Sequence, residues 1–138
     1  MSHNETQKFY QMVKDNPNDK ETVLTAIKNA PFTFQYASES LRKDKEVILS
    51  AVQREGQNLC FSLIQDKEIV LAAVQQHGHA LRFALPKFTK DKEIVLAAIK
   101  TNFTAHKYMD AKLKTNSKFT KEITTLFPQL AYHYPTAL

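Results

Sequence analysis

Asp66-Lys67-Glu68-Ile69-Val70-Leu71-Ala72-Ala73-Val74 returns almost unchanged as Asp91-Lys92-Glu93-Ile94-Val95-Leu96-Ala97-Ala98-Ile99. Looser copies begin at Asp44 and Asp19, so the four starts lie 25, 22 and 25 residues apart. A period of this size marks a repeat architecture. Each unit is one supersecondary element that buries its apolar face only against a neighbour.

Counting the leading Asp as position 0, Lys-Glu fills positions 1 and 2 of all four copies. Position 4 is Val23, Ile48, Val70 and Val95, and position 5 is Leu24, Leu49, Leu71 and Leu96. Position 7 is alanine throughout (Ala26, Ala51, Ala73, Ala98), and position 8 is Ile27, Val52, Val74 and Ile99. A 4, 5, 8 spacing is a helical stripe and not a strand alternation, so the four leucines are expected in the core. The acidic residues of the first turn complement the helix dipole and cap free N–H groups. Asn18 with Glu21 fits a capping box. The fixed alanine calls for a close helix approach.

Gly56 and Gly78 occupy position 12 and are the only glycines of the chain. Both stand where a left-handed C-cap with positive φ is expected. The outer copies carry Pro31 and Phe103 there. A shorter second helix follows, with Phe34, Leu59, Leu81 and His106 at position 15 and Tyr36, Phe61, Phe83 and Tyr108 at position 17. The spacing predicts helices over 4–15, 18–29, 32–42, 44–55, 57–64, 66–77, 79–86, 91–102, 104–114 and 119–127. The expected fold is all-α: tandem helical hairpins of 22–25 residues, about four in number, stacked as a short solenoid or compact bundle between capping helices. Residues 1–17 read as an N-terminal cap helix and 18–115 as the four repeats. Residues 116–138 read as a degenerate repeat, starting at Thr120-Lys121-Glu122-Ile123, with a prolyl tail. That tail is expected to pack across the last hairpin or to offer its aromatics to a partner.

At 138 residues the chain forms one domain with a core that needs neither disulfide nor metal. The lone Cys60 forms no internal bridge. No apolar run approaches a membrane span, and the N-terminus lacks a secretory signal. A soluble protein that starts its life in a cytosol is therefore expected. The net charge of +5 is placed unevenly: six lysines between Lys100 and Lys121 stand against Asp110 alone. Such a segment steers acidic partners at low salt.

No catalytic constellation is apparent. Cys60 replaces other polar residues at position 16 and reads as a surface substitution, since a reactive thiol needs an electropositive neighbour. His77 and His79 flank the Gly78 turn without the further ligands a metal requires. His106, at an otherwise apolar position, reads as a hydrogen-bonded, partly buried histidine. Asp-x-Glu pairs recur at every helix start, which capping explains. No cofactor is implied. Position 16 (Gln35, Cys60, Arg82, Lys107) varies in chemistry while the core stays constant, so it is the candidate protein-binding row. Lys112 and Lys114 extend it, and Tyr132 and Tyr134 are candidate aromatic anchors. Nucleic-acid binding through the 100–121 lysines is the alternative. It is weakened by the absence of arginine from that segment. A homodimer through exposed terminal repeats is a further expectation.

The block Asp-Lys-Glu-(Ile/Val)-(Val/Ile)-Leu-(Ala/Ser)-Ala-Val, the glycine at position 12 and the Leu-x-(Phe/Tyr)-Ala run resemble a bacterial helical-repeat family. Its consensus is close to DKEIVLAAVKQNGxALxYASxxL. Residues 66–85 match best and 19–62 and 91–113 more loosely, about four fifths of the chain in total. The family supplies no catalytic residues. Its members resemble parts of effectors that intracellular bacterial pathogens inject into host cells. A chain this small resembles a regulatory inhibitor of effector enzymes that deamidate or transglutaminate ubiquitin. The resemblance implies a protein partner, and either translocation or a role inside the bacterium. The last sixteen residues contain no acidic side chain, unlike a glutamate-rich export signal.

Overall fold

The computed structural model describes residues 2–135. They form an all-α protein with no strand among them. Its eight α-helices are α1 (His3–Asp15), α2 (Lys20–Asn29), α3 (Lys45–Arg54), α4 (Lys67–Gln76), α5 (Pro86–Thr89), α6 (Lys92–Thr101), α7 (Ala111–Lys114) and α8 (Ser117–Leu126). Among the described residues six 3-10 helices lie between or after them: η1 (Pro31–Tyr36), η2 (Leu41–Lys43), η3 (Gly56–Phe61), η4 (Gly78–Phe83), η5 (Phe103–Tyr108) and, after α8, η6 (Pro128–Leu130).

Each repeat starts on its aspartate. Asp66 Oδ1 accepts the N–H of Ile69 at 2.9 Å, and Asp91 Oδ1 accepts those of Glu93 and Ile94 at 3.0 and 3.3 Å. Asp19, and not Asn18, caps α2 by accepting from Thr22 N–H. The Asn18 side chain instead accepts from the hydroxyls of Ser38 and Ser40. Each repeat helix ends when the N–H of position 11 bonds the carbonyl of position 7, as His77 does to Ala73 at 2.9 Å. Position 11 then turns into extended backbone, with φ of −144° at Ala30, −148° at Glu55, −150° at His77 and −141° at Asn102.

This turn corrects three expectations. No described residue has positive φ, so Gly56 and Gly78 are not left-handed caps. The extended residue before them has already reversed the chain. The glycines answer a steric demand of the next repeat: a Cβ on Gly56 would run into the Ala73 carbonyl, and one on Gly78 into the Ala98 carbonyl. The Gly56 N–H donates to Gln76 Oε1, and the Gly78 N–H donates to Asn102 Oδ1 at 2.9 Å. The second helix of each hairpin is also not α-helical. Six-residue 3-10 segments stand there, followed by a break, so 32–42 divides into η1 and η2, 79–86 runs into η4 and α5, and 104–114 into η5 and α7.

The third correction concerns the core stripe. Positions 3, 4, 7 and 8 are fully buried in the middle repeats: Val47, Ile48, Ala51 and Val52, then Ile69, Val70, Ala73 and Val74. At 3.6 residues per turn, position 5 lies about 130° from the centre of that stripe. Leu24, Leu49, Leu71 and Leu96 are therefore half-buried on the outer flank, packed against the core but not inside it. Thr22 at position 3 of the first copy hides the true stripe in the sequence.

Repeats are joined outside by a ladder of ion pairs. Lys45 Nζ reaches Asp66 and Glu68 of the next repeat at 2.7 and 2.8 Å, and Lys67 reaches Asp91 and Glu93 at 3.0 and 2.7 Å. Lys20 does the same to Asp44 and Glu46. The recurrence of Asp-Lys-Glu thus serves both capping and inter-repeat register. Pairs this exposed add little stability.

A fifth repeat follows, and it begins at Asn116, not Thr120. Asn116 Oδ1 caps α8 by accepting from Phe119 N–H at 2.9 Å. Phe127 stands at position 11 and bonds the Ile123 carbonyl, while Leu130 and Tyr134 repeat the N–H bonds of positions 14 and 18. Phe119, Thr120, Ile123 and Thr124 fill the buried positions 3, 4, 7 and 8. The tail through Tyr134 is thus the second half of a repeat. Its seam differs from the others. Ile123 replaces the fixed alanine, Phe103 replaces the facing glycine, and α8 approaches α6 less closely than the other consecutive helices approach one another. By register Asn116 and Lys118 replace the two acids that would meet Lys92, and the Lys92 ammonium lies 5.9 Å from the centroid of the Phe119 ring.

Candidate functional site

In a 3-10 helix three residues make one turn, so positions 14, 15, 16 and 17 point in fixed directions relative to the stack. Phe34, Leu59 and Leu81 at position 15 are buried. Gln35 is half-buried, and Cys60, Arg82 and Lys107 are exposed at position 16. η1, η3, η4 and η5 contact one another in succession, which aligns these side chains as a row. Tyr132 occupies position 16 of the fifth repeat and is 91 % exposed, so it joins the row by register. Lys112 and Lys114 are exposed on α7 beside it.

Tyr134 does not join. It is 8 % exposed, and its hydroxyl lies 2.8 Å from Nδ1 of His106. Position 18, which Tyr134 occupies, turns inward, so the ring is part of the core and is removed from the candidate anchors. Burial pushes its phenol up to about 12. His106 is itself 8 % exposed, and its ring lies 4.7 Å from that of His133, tilted by 47°. Burial first, then the charges of His133, Lys114 and Lys107, holds its imidazole down at about 4. It is a neutral, hydrogen-bonded core histidine.

Position 17, aromatic in all four copies, does not enter the core. Tyr36 is 40 % exposed, and Phe61, Phe83 and Tyr108 are half-buried. Cations lie over Tyr36, Phe83 and Tyr108. Lys14 Nζ is 4.7 Å from the Tyr36 centroid, and the Arg82 guanidinium is 5.1 Å from Phe83 and 6.0 Å from Tyr108. Lys107 Nζ is 5.3 Å from the Tyr108 centroid. The signal was present in the sequence, since Arg82 and Lys107 directly precede Phe83 and Tyr108.

The remaining candidates are absorbed locally. His77 Nε2 pairs with Gln57 at 3.2 Å, and His79 Nε2 with Thr104 Oγ1 at 2.6 Å. His79 packs edge-on against Tyr108 at 5.8 Å. Burial first, then His77, Lys107 and Arg82, holds its imidazole below the usual range. Among the described residues no three His, Cys, Asp or Glu side chains gather as metal ligands. Partial burial pushes the Cys60 thiol up, which disfavours the reactive thiolate. Lys114 Nζ donates to the Lys107 carbonyl at 2.9 Å. Asp110 uses its carboxylate to accept the N–H of Lys112. On the flank of the leucines, Leu71, Leu96, Ala97 and Lys100 border an open groove of about 370 Å³. No described helix is long and apolar enough to cross a membrane.

Residues 19–63 and 66–114 match the family described as "Domain of unknown function (DUF4116)", and the chain belongs to that family. Each matched block spans two of the repeats defined above. No curated protein and no solved structure matches the chain.

Proposed function

We propose that this protein is a non-enzymatic protein-binding module whose partner docks an acidic surface along the position-16 row. The observation that carries the reading is Arg82 and Lys107. Both are exposed and held over the rings of position 17, and neither has an ion-pair partner among the described residues. Lys112 and Lys114 lengthen the same positive surface, and Tyr132 offers an exposed aromatic at its end. Aromatic and arginine side chains are the residues that concentrate binding energy at protein interfaces. The sequence resemblance supplies the partner class: an effector enzyme that deamidates or transglutaminates ubiquitin, held in check inside the bacterium or after translocation into a host cell.

The test is capture of the partner from the producing bacterium, followed by mass spectrometry, with association rates measured for the wild type and for Lys107→Glu/Lys112→Glu/Lys114→Glu. The variant is expected to remain folded, because all three side chains are exposed. It should associate more slowly at low salt, since interface charge acts chiefly on the on-rate. Wild-type association by the folded variant would place the partner on another face. Capture of nucleic acid, with affinity falling steeply with salt, would favour the alternative reading.

A further inference from the structure

Resting on that reading, we propose that Arg82 and Lys107 form a two-point carboxylate clamp for an extended acidic peptide, with acidic residues three apart in the peptide sequence. Arg82 lies over both Phe83 and Tyr108, so the rings of two successive repeats support one guanidinium. A guanidinium supported on its face keeps its N–H edge free, and that edge matches a carboxylate through two parallel hydrogen bonds. Arg42, by contrast, is not free: it donates to the carbonyls of Ala37 and Phe61 and serves the fold. Arg82 has no such donation among the described residues.

Lys107 supplies the second point. Its ammonium lies over the same Tyr108 ring, one repeat further along. The carboxylate nearest in sequence, Asp110, accepts the N–H of Lys112 and forms no ion pair among the described residues. Lys114 adds positive charge behind the clamp, anchored on the Lys107 carbonyl. Successive packed helices stand about 8–10 Å apart. Three residues of a peptide in the extended polyproline II conformation make one full turn and cover nearly the same distance, at about 3.1 Å each. A peptide of this conformation crossing the repeats therefore brings acids at i and i+3, on one face of the chain, to Arg82 and Lys107.

The rings argue against a single-stranded nucleic acid in this place. Base stacking needs an open aromatic face. The protein's own cations cover Tyr36, Phe83 and Tyr108, and the edge of His79 packs against Tyr108.

The experiment uses the full chain and three fluorescent probes at low salt. The first is the heptapeptide Glu-Gly-Gly-Glu-Gly-Gly-Glu, the second is Glu-Glu-Glu-Gly-Gly-Gly-Gly, and the third is a short oligothymidine. The spaced peptide is expected to bind more tightly than the clustered one. Arg82→Gln should weaken it by roughly tenfold or more, as the loss of charge-assisted bonds implies. Arg82→Lys should recover only part of that, because it restores charge without the fork. Equal binding of the two peptides overturns the spacing, and an unchanged affinity in Arg82→Gln overturns the clamp. Tighter binding of oligothymidine replaces the peptide with nucleic acid. If the clamp fails while the captured partner still loses association rate in the triple lysine variant, the broader protein-binding reading stands and only the clamp falls.

Discussion

The buried His106–Tyr134 pair makes the stability of this fold depend on pH in a defined window. The His106 imidazole sits at about 4 in the folded chain, against an ordinary value of 6.5. Between these limits the unfolded chain binds a proton that the folded chain excludes. The stabilisation is therefore complete above about pH 6.5 and is lost as pH falls toward 4. At about 1.4 kcal/mol per pKa unit, acidification from pH 7 to 5 should cost about 2 kcal/mol. The perturbation that isolates the effect is His106→Leu/Tyr134→Phe. Leucine is what Leu59 and Leu81 already provide at position 15. Removing both polar partners together leaves no buried group unsatisfied, so stability at pH 7 should change little. Tyr134→Phe alone orphans a buried ring nitrogen and should cost about 1–3 kcal/mol. Urea unfolding at pH 7 and pH 5, followed by circular dichroism, measures all three. Asp44, Asp66, Asp91 and Glu39, whose lysine partners help hold them below the usual carboxylate range, lose their contribution at lower pH in both proteins. They cancel in the comparison. An identical loss between pH 7 and 5 in the wild type and the double variant would refute the reasoning.

Gly78→Ala separates steric from backbone causes. With negative φ an alanine would ordinarily stabilise slightly, but here its Cβ meets the Ala98 carbonyl. A net loss of about 1–3 kcal/mol is expected, and a raised melting temperature would show that the seam has room. Ile69→Ala, at a fully buried position, should cost about 2–5 kcal/mol. Leu71→Ala, on the half-buried flank, should cost clearly less in the same denaturant titration, and the reverse order would restore the 4, 5, 8 stripe. Lys67→Met removes one rung of the ion-pair ladder. It should shift the melting temperature only slightly at low salt and not at all in 1 M salt.

The sequence by itself determined the long first helix of each unit, because capping and helical periodicity are local. Asp66, three residues before Ile69, is enough to start α4. It also determined that position 16 faces outward, since Gln35, Cys60, Arg82 and Lys107 share nothing but polarity. Pro128 stands at position 12 of the fifth repeat as Pro31 does in the first, yet Thr120-Lys121-Glu122 imitates the usual start four residues late.

Only the tertiary structure decided the rest, for reasons that lie between repeats. The glycines are small because a carbonyl of the next repeat occupies the space a Cβ would need, and no local rule contains that neighbour. The leucines of position 5 sit on the flank because helices stacked side by side bury the face between them. Apolarity alone does not distinguish the middle of that face from its edge. Tyr132 and Tyr134, two residues apart in the same tail, have opposite fates. The 3-10 register turns one into solvent, and the inward turn of the next places the other against His106.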